Sequence, residues 1–224
     1  MTVINLRTNN KYDLRIDRKT KWGNPFVMKR ESEREHVVQK YELWLNTQPN
    51  LLVDLPSLKG KSLACWCAPK ACHGDVLVKL SQSKWIKNWF SNMSKLEFPF
   101  VEDGISYYTS ENYYQAQKVE PELRYKIVQM NPFEAKKSIR DRQKFPWRST
   151  WSKDESLEVM EKILRFKFSQ NKWANLLAMT EDWEITEWNN WNDIFWGKDI
   201  RSRKGENHLG KILMNIRDNK NGKK

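Results

Sequence analysis

The stretch Ser110-Glu111-Asn112-Tyr113-Tyr114-Gln115-Ala116-Gln117-Lys118 decides how this chain is read. Ser110 is a good helix N-cap, and Glu111 suits a first turn, where the free N–H groups favour negative charge. The spacing predicts a helix over residues 111–119. On it Glu111, Tyr114, Gln115 and Lys118 fall at i, i+3, i+4 and i+7 and share one face. A carboxylate, a phenol, an amide and an amine on one stripe make a catalytic set. They also make a solvated polar face with a weak Glu–Lys interaction, and on spacing alone that second reading has the greater weight.

Around this stretch the chain divides into two halves. In the first, Thr2–Leu6 alternates like a strand. Gly23-Asn24-Pro25 punctuates a turn. Ser32–Leu45 has a helical period, Leu58–Trp66 resembles a short buried strand, and Asp75–Leu80 continues as a helix. Strand–helix–strand–helix order predicts a small α/β unit. In the second half Ile105–Tyr108 is strand-like, while Glu155–Ser169 and Leu209–Ile216 are helical. The expected fold class is therefore α+β. It comprises a small α/β domain over residues 1–84, a mainly helical domain with a few strands over residues 85–218, and a polar tail over residues 219–224. The boundary is expected at Gln82–Trp85, where polar residues separate two motif-rich regions.

The second half carries an ordered series of motifs. Trp85-Ile86-Lys87-Asn88-Trp89-Phe90-Ser91-Asn92 comes first, then Pro99, Gly104 and the Ser110–Lys118 stretch. Asn131-Pro132-x-x-Ala135-Lys136 and Arg148-x-x-Trp151 follow, then Lys167-Phe168-x-Gln170-Asn171. Asp193-x-x-Trp196-Gly197 and Gly205-x-Asn207-x-Leu209-Gly210-Lys211 close the series. In this order and spacing the half resembles the NADAR (YbiA-like) family along its full length.

That resemblance implies an N-glycosidase, which hydrolyses a bond between a ribose carbon and a base nitrogen. The reading it favours is removal of ADP-ribose from ADP-ribosylated guanine in nucleic acid. The alternatives are phosphoribosylaminopyrimidine intermediates of riboflavin synthesis and a non-catalytic ADP-ribose or NAD sensor. By the same resemblance Glu111 and Lys118 are the catalytic pair. Asn92, Tyr114, Gln115, Arg148, Trp151, Asp193, Trp196, Gly197, Asn207 and Gly210 are the expected substrate-binding residues, and no cofactor is expected. The chain departs from the family at Asn112, where a histidine is usual, at Val119, at Met93 and in the Lys/Arg-rich run between Trp196 and Gly205.

The residue types suit the chemistry. Breaking a ribose C–N bond builds positive charge on the sugar carbon, which a carboxylate stabilises or relieves by moving a proton. A neutral lysine amine attacks the same carbon and forms a Schiff base that water later hydrolyses. Asn207 and Leu209-Gly210-Lys211 stand where the last helix begins, so free backbone N–H groups there suit a phosphate.

Composition narrows the partners. The 224 residues carry 40 Lys and Arg against 28 Asp and Glu, a net charge of +12. Residues 1–84 hold 15 basic against 8 acidic side chains, and the rest of the chain 25 against 20. The shorter part has most of the excess, which favours anionic partners, DNA or RNA among them. Twelve Trp residues and 39% hydrophobic content suffice for a core. The start is too polar for a signal peptide, and no run approaches a membrane span of about 18 apolar residues. Three cysteines argue against a disulfide framework, so a reducing cytoplasm is the expected setting.

All three cysteines fall in Cys65-Trp66-Cys67-Ala68-Pro69-Lys70-Ala71-Cys72-His73-Gly74. Cys65, Cys67, Cys72 and His73 make a four-ligand set. They crowd into nine residues, unlike paired zinc knuckles, so buried thiols without metal are the expectation. With Trp22-Gly23-Asn24-Pro25-Phe26 this run resembles a short domain of bacterial and phage proteins to which no activity attaches. That domain usually has Ile-Gly-Arg where Ile16-Asp17-Arg18 stands here.

Overall fold

The computed structural model describes residues 2–8, 10–82 and 90–220, the side chain of Lys220 excepted. The motif at Trp85–Trp89, most of the expected boundary at Gln82–Trp85 and the last residues of the polar tail lie outside the described residues. The chain forms two compact units. One comprises Met1–Trp89 with Met179–Lys211, the other Phe90–Ala178 with Ile212–Lys224. The fold is α+β, as the hydrophobic periodicity predicts.

The first unit opens with β1 (Val3–Asn5) and β2 (Leu14–Arg15), followed by helices α1 (Arg34–Leu45) and α2 (Pro49–Asp54). A central strand β3 (Leu63–Cys65) and helix α3 (His73–Ser81) complete this part. All three strands are parallel, in the order β1-β3-β2. The central strand is buried along its whole length, as parallel strands covered on both faces are. Ile16, Trp22, Tyr41, Leu45, Leu58, Leu63 and Leu77 form the core. The Tyr41 hydroxyl donates to the Trp22 carbonyl at 2.8 Å, which satisfies a phenol otherwise cut off from water.

The second unit begins with a hairpin of β4 (Lys95–Glu102) and β5 (Ile105–Thr109). Asp103 and Gly104 turn it with two positive φ angles, the requirement of a two-residue hairpin loop. Strand β5 runs straight into helix α4 (Ser110–Ala116). Helices α5 (Pro121–Val128), α6 (Pro132–Ser138), α7 (Lys153–Lys167) and α8 (Asn171–Ala178) follow. Helix α4 packs against α5, α6, α7 and β5, and all seven of its residues are buried. A seven-residue helix has little stability of its own, so packing and capping hold it.

Along the chain come two short parallel strands, β6 (Trp188–Asn189) and β7 (Lys198–Asp199), which belong to the first unit. Helix α9 (His208–Lys220) ends the described chain.

Two details of α4 differ from the sequence expectation. Its N-cap is Thr109, one residue before Ser110, and its hydroxyl accepts from Asn112 N at 3.0 Å. Thr109 is the last strand residue and already has the extended backbone that a cap needs. The helix also stops at Ala116, so Lys118 lies in the following turn. Asn112, where the family resemblance leads one to expect histidine, has a packing role. Its Oδ1 accepts from the Thr109 hydroxyl at 2.6 Å, and its Nδ2 donates to the carbonyls of Ile127 and Met130 at 3.2 and 3.0 Å. It thus ties the start of α4 to the end of α5. Asn112→Ala would strip these buried groups of partners and should lower stability by about 2–4 kcal/mol. Urea denaturation checks this, and a change within about 0.5 kcal/mol would contradict it.

Candidate functional site

The site on the second unit is built around the two ends of α4. At the start, the Glu111 N–H donates to the Asn92 carbonyl at 3.0 Å. The segment that carries Asn92 is anchored by Lys167, fully buried, whose Nζ donates to the carbonyls of Phe90 and Ser91 at 3.2 and 2.8 Å. At the far end Arg148 satisfies two carbonyls left open by the terminating helix. Its Nε donates to Gln117 O at 2.9 Å and its backbone N–H to Lys118 O at 2.8 Å. The same guanidinium pairs with Glu155 and reaches Thr150 Oγ1 at 3.3 Å. Arg148 was expected to bind substrate; its guanidinium nitrogens are turned to Gln117, Thr150 and Glu155, and its backbone N–H holds the Lys118 carbonyl.

Glu111 and Lys118 are 5% and 7% exposed, which removes both from bulk water. This overturns the reading of the stripe as a solvated polar face. Gln115 Nε2 donates to Glu111 Oε1 at 2.7 Å and fixes the carboxylate. The Lys118 amine sits 4.4 Å from the ring centre of Tyr114 and 4.7 Å from that of Trp147. Burial pushes it down from the usual 10.5 to about 8. The charge of Glu111 opposes that fall, while Lys136, Arg142 and Arg140 add to it.

Tyr114 is held in turn, its hydroxyl 2.8 Å from Ser156 Oγ and its ring edge-on to Trp151 at 5.8 Å. Asn92 Nδ2 lies 3.4 Å from Met160 Sδ. Asn92 Oδ1 and Gln115 Oε1 are buried acceptors with no partner among the described residues. A buried acceptor left so costs about 1–3 kcal/mol, and both lie among the residues that flank Glu111.

Asn92, Glu111, Tyr114, Gln115, Lys118, Arg148 and Trp151 thus all belong to the second unit. Sequence reasoning missed Trp147, which covers the amine, and the cations Lys136, Arg140 and Arg142 that lower its proton affinity. The run Lys136-Lys137 with Arg140 and Arg142 was a legible signal, since a cluster of cations depresses a nearby amine.

Asp193, Trp196, Gly197, Asn207 and Gly210 belong to the first unit. Asp193 Oδ1 accepts from Trp196 N at 2.9 Å. Asn207 is buried with a positive φ of 55°, its Nδ2 donating to Ile185 O at 2.9 Å and its Oδ1 accepting from Glu187 N at 3.0 Å. A Cβ on Gly197 would sit 2.1 Å from Glu187 O, and one on Gly210 2.1 Å from Ile185 O. In this unit these residues shape backbone.

The first unit has a second cluster where the parallel strands end. Cys65, Cys72 and His73 are buried, with their ligand atoms all within 4.8 Å of one another. Beside them Asp17 pairs with Arg15 and accepts from Trp66 Nε1 at 2.9 Å.

Residues 4–83 match the family described as a domain of unknown function, DUF4326, and residues 80–219 match the NADAR domain. N-glycosidase YbiA of Escherichia coli strain K12 is 38% identical over 132 residues, 58% of this chain and 79% of that protein. A riboflavin biosynthesis protein of Vibrio vulnificus is 38% identical over 118 residues, 51% of this chain but 31% of that protein. The NMR structure of Escherichia coli YbiA aligns with a TM-score of 0.50 at 35% identity, covering 59% of this chain and 77% of that one. The NADAR match takes in more than half of the sequence and includes both ends of the buried helix, and the chain belongs to the NADAR family.

Proposed function

We propose that this protein is an N-glycosidase that removes ADP-ribose from ADP-ribosylated guanine in nucleic acid, with Lys118 as nucleophile and Glu111 as acid and base. The observation that carries the chemistry is the buried amine pushed down to about 8 beside a buried, fixed carboxylate. At pH 7 such an amine is neutral roughly a tenth of the time, whereas an ordinary lysine is neutral in roughly one part in a few thousand. That difference supplies the nucleophile.

In the proposed reaction Lys118 Nζ attacks the ribose carbon that bears the base. The C–N bond breaks with its electron pair, and the Glu111 carboxylate takes a proton from the attacking nitrogen and passes it to the departing one. The sugar ring opens as the amine forms a Schiff base. Water then adds to that carbon, its proton passes through Glu111 to the amine nitrogen, and the adduct collapses to free sugar and free amine. Tyr114 and Trp147 exclude water from the amine. The unpaired Asn92 Oδ1 and Gln115 Oε1 suit sugar hydroxyls, which are donors.

Nucleic acid as the carrier of the substrate is supported by the net charge of +12, most of it concentrated in residues 1–84. The second reading, a phosphoribosylaminopyrimidine substrate, is favoured by the likeness to the Vibrio vulnificus riboflavin biosynthesis protein. A non-catalytic ADP-ribose or NAD sensor has no need of a depressed amine.

Turnover should rise with pH and level off above about 8, since deprotonation creates the nucleophile. Glu111→Gln should lower kcat by roughly 10²–10⁴-fold. Lys118→Ala should abolish both turnover and the covalent adduct that borohydride traps on the parent. A Lys118→Ala protein with near-normal kcat would overturn the mechanism. For the substrate, the protein is offered an ADP-ribosylguanine oligonucleotide and a phosphoribosylaminopyrimidine, and released sugar is measured. Release from the oligonucleotide should dominate and fall by at least roughly a hundredfold as salt is raised. Preference for the small metabolite, with little salt dependence, would overturn the nucleic-acid reading and leave the glycosidase chemistry standing.

A further inference from the structure

The cysteine cluster of the first unit has geometry that its crowded sequence spacing conceals. Cys65 ends the central strand, Cys67 follows in the next loop, and Cys72 and His73 form the entry to α3. The Cys65 and Cys67 sulfurs are 3.8 Å apart. His73 Nδ1 is 4.0 Å from Cys65 Sγ and 3.6 Å from Cys72 Sγ. A tetrahedral zinc ion with Zn–S of about 2.3 Å and Zn–N of about 2.0–2.1 Å sets its donors about 3.8 Å apart for sulfur pairs and about 3.6 Å for a sulfur–nitrogen pair. These three separations match edges of that tetrahedron: Cys65, Cys72 and His73 form the close set, and Cys67 stands beside it, 3.8 Å from Cys65. Nine residues suffice because strand, loop and helix entry fold back on one another, so separated knuckles are not needed.

The surroundings match a metal site as well. His73 Nε2 lies 2.7 Å from the Ile16 carbonyl. A carbonyl only accepts, so Nε2 carries the proton and Nδ1 presents its lone pair to the sulfurs of Cys65 and Cys72. A ligating histidine usually has its second nitrogen anchored in this way. Cys72 Sγ accepts from the Gly74 N–H at 3.3 Å, and the Arg34 guanidinium reaches the Cys67 sulfur. Three thiolates, a neutral imidazole and one divalent ion sum to a single negative charge, beside which stands Arg34, itself paired with Glu31.

We propose that Cys65, Cys67, Cys72 and His73 hold one structural zinc ion at the carboxyl ends of the parallel strands. Three sulfurs and one nitrogen in a tetrahedron select zinc over the hard, oxygen-seeking cations. All four positions are filled by protein, so the ion staples the end of β3 to α3 and does no chemistry. The site stands apart from the glycosidase reading, and neither depends on the other.

The test uses the full chain, purified under reducing conditions without a metal-affinity step. Elemental analysis should find about one zinc per chain. Cobalt(II) added to the stripped protein should give the intense visible bands of tetrahedral thiolate coordination. Zinc should displace the cobalt and bleach them. Cys67→Ser, at the half-exposed ligand, should weaken zinc binding by at least roughly a hundredfold while circular dichroism shows a folded protein. Absence of tetrahedral cobalt bands on the parent chain, or zinc affinity unchanged in Cys67→Ser, would overturn the proposal. Because the cobalt spectrum is read on the parent, a variant that fails to fold leaves the test intact.

Discussion

A carboxylate and an amine held out of water at the two ends of one short helix are the constraint on which this account rests. Seven residues cannot sustain α4 alone, and the groups it carries are the ones hardest to bury. The second unit meets both demands by surrounding the helix with other elements and by satisfying its ends. Thr109 and Asn112 hold one end, and Arg148 holds the other. Around these anchored ends several buried polar atoms stay without a partner among the described residues, Asn92 Oδ1 and Gln115 Oε1 among them.

The same economy of position appears in the first unit. Parallel strands end together, and the loops that leave them converge. There the convergence brings two buried sulfurs and an imidazole within 4.8 Å of one another, with a third sulfur beside them and the histidine tautomer set by a single carbonyl. In both units reactive side chains sit at the junction of an element and a loop, where backbone groups run out of regular partners and side chains take over.

Much of this was legible in the residues and some was not. The period of Ser32–Leu45 and Glu155–Ser169 marked α1 and α7 to within a few residues. The i, i+3, i+4, i+7 stripe found the helix that carries Glu111, Tyr114 and Gln115. It did not show that the helix stops before Lys118, where Arg148, thirty residues on, takes up the carbonyls left open. Burial of the stripe was also invisible, since spacing cannot tell a core-facing polar row from a solvated one. Trp147 escaped notice for a related reason: only the fold places it over the amine. The short elements β2, α5 and α6 have too few residues for a period to emerge, and β4, though eight residues long, has no clean alternation of buried and exposed positions. In the cysteine run, the spacing alone did not show that the chain reversal after β3 brings Cys65, Cys72 and His73 within 4.8 Å of one another.

The most direct measurement of the central claim is an NMR titration of Lys118 in protein labelled at the lysine side-chain carbons, assigned with Lys118→Ala. The account predicts a midpoint near 8 in the parent, moving lower still in Glu111→Gln as the neighbouring negative charge disappears. A midpoint at the ordinary lysine value of 10.5, or one indifferent to Glu111→Gln, would contradict it.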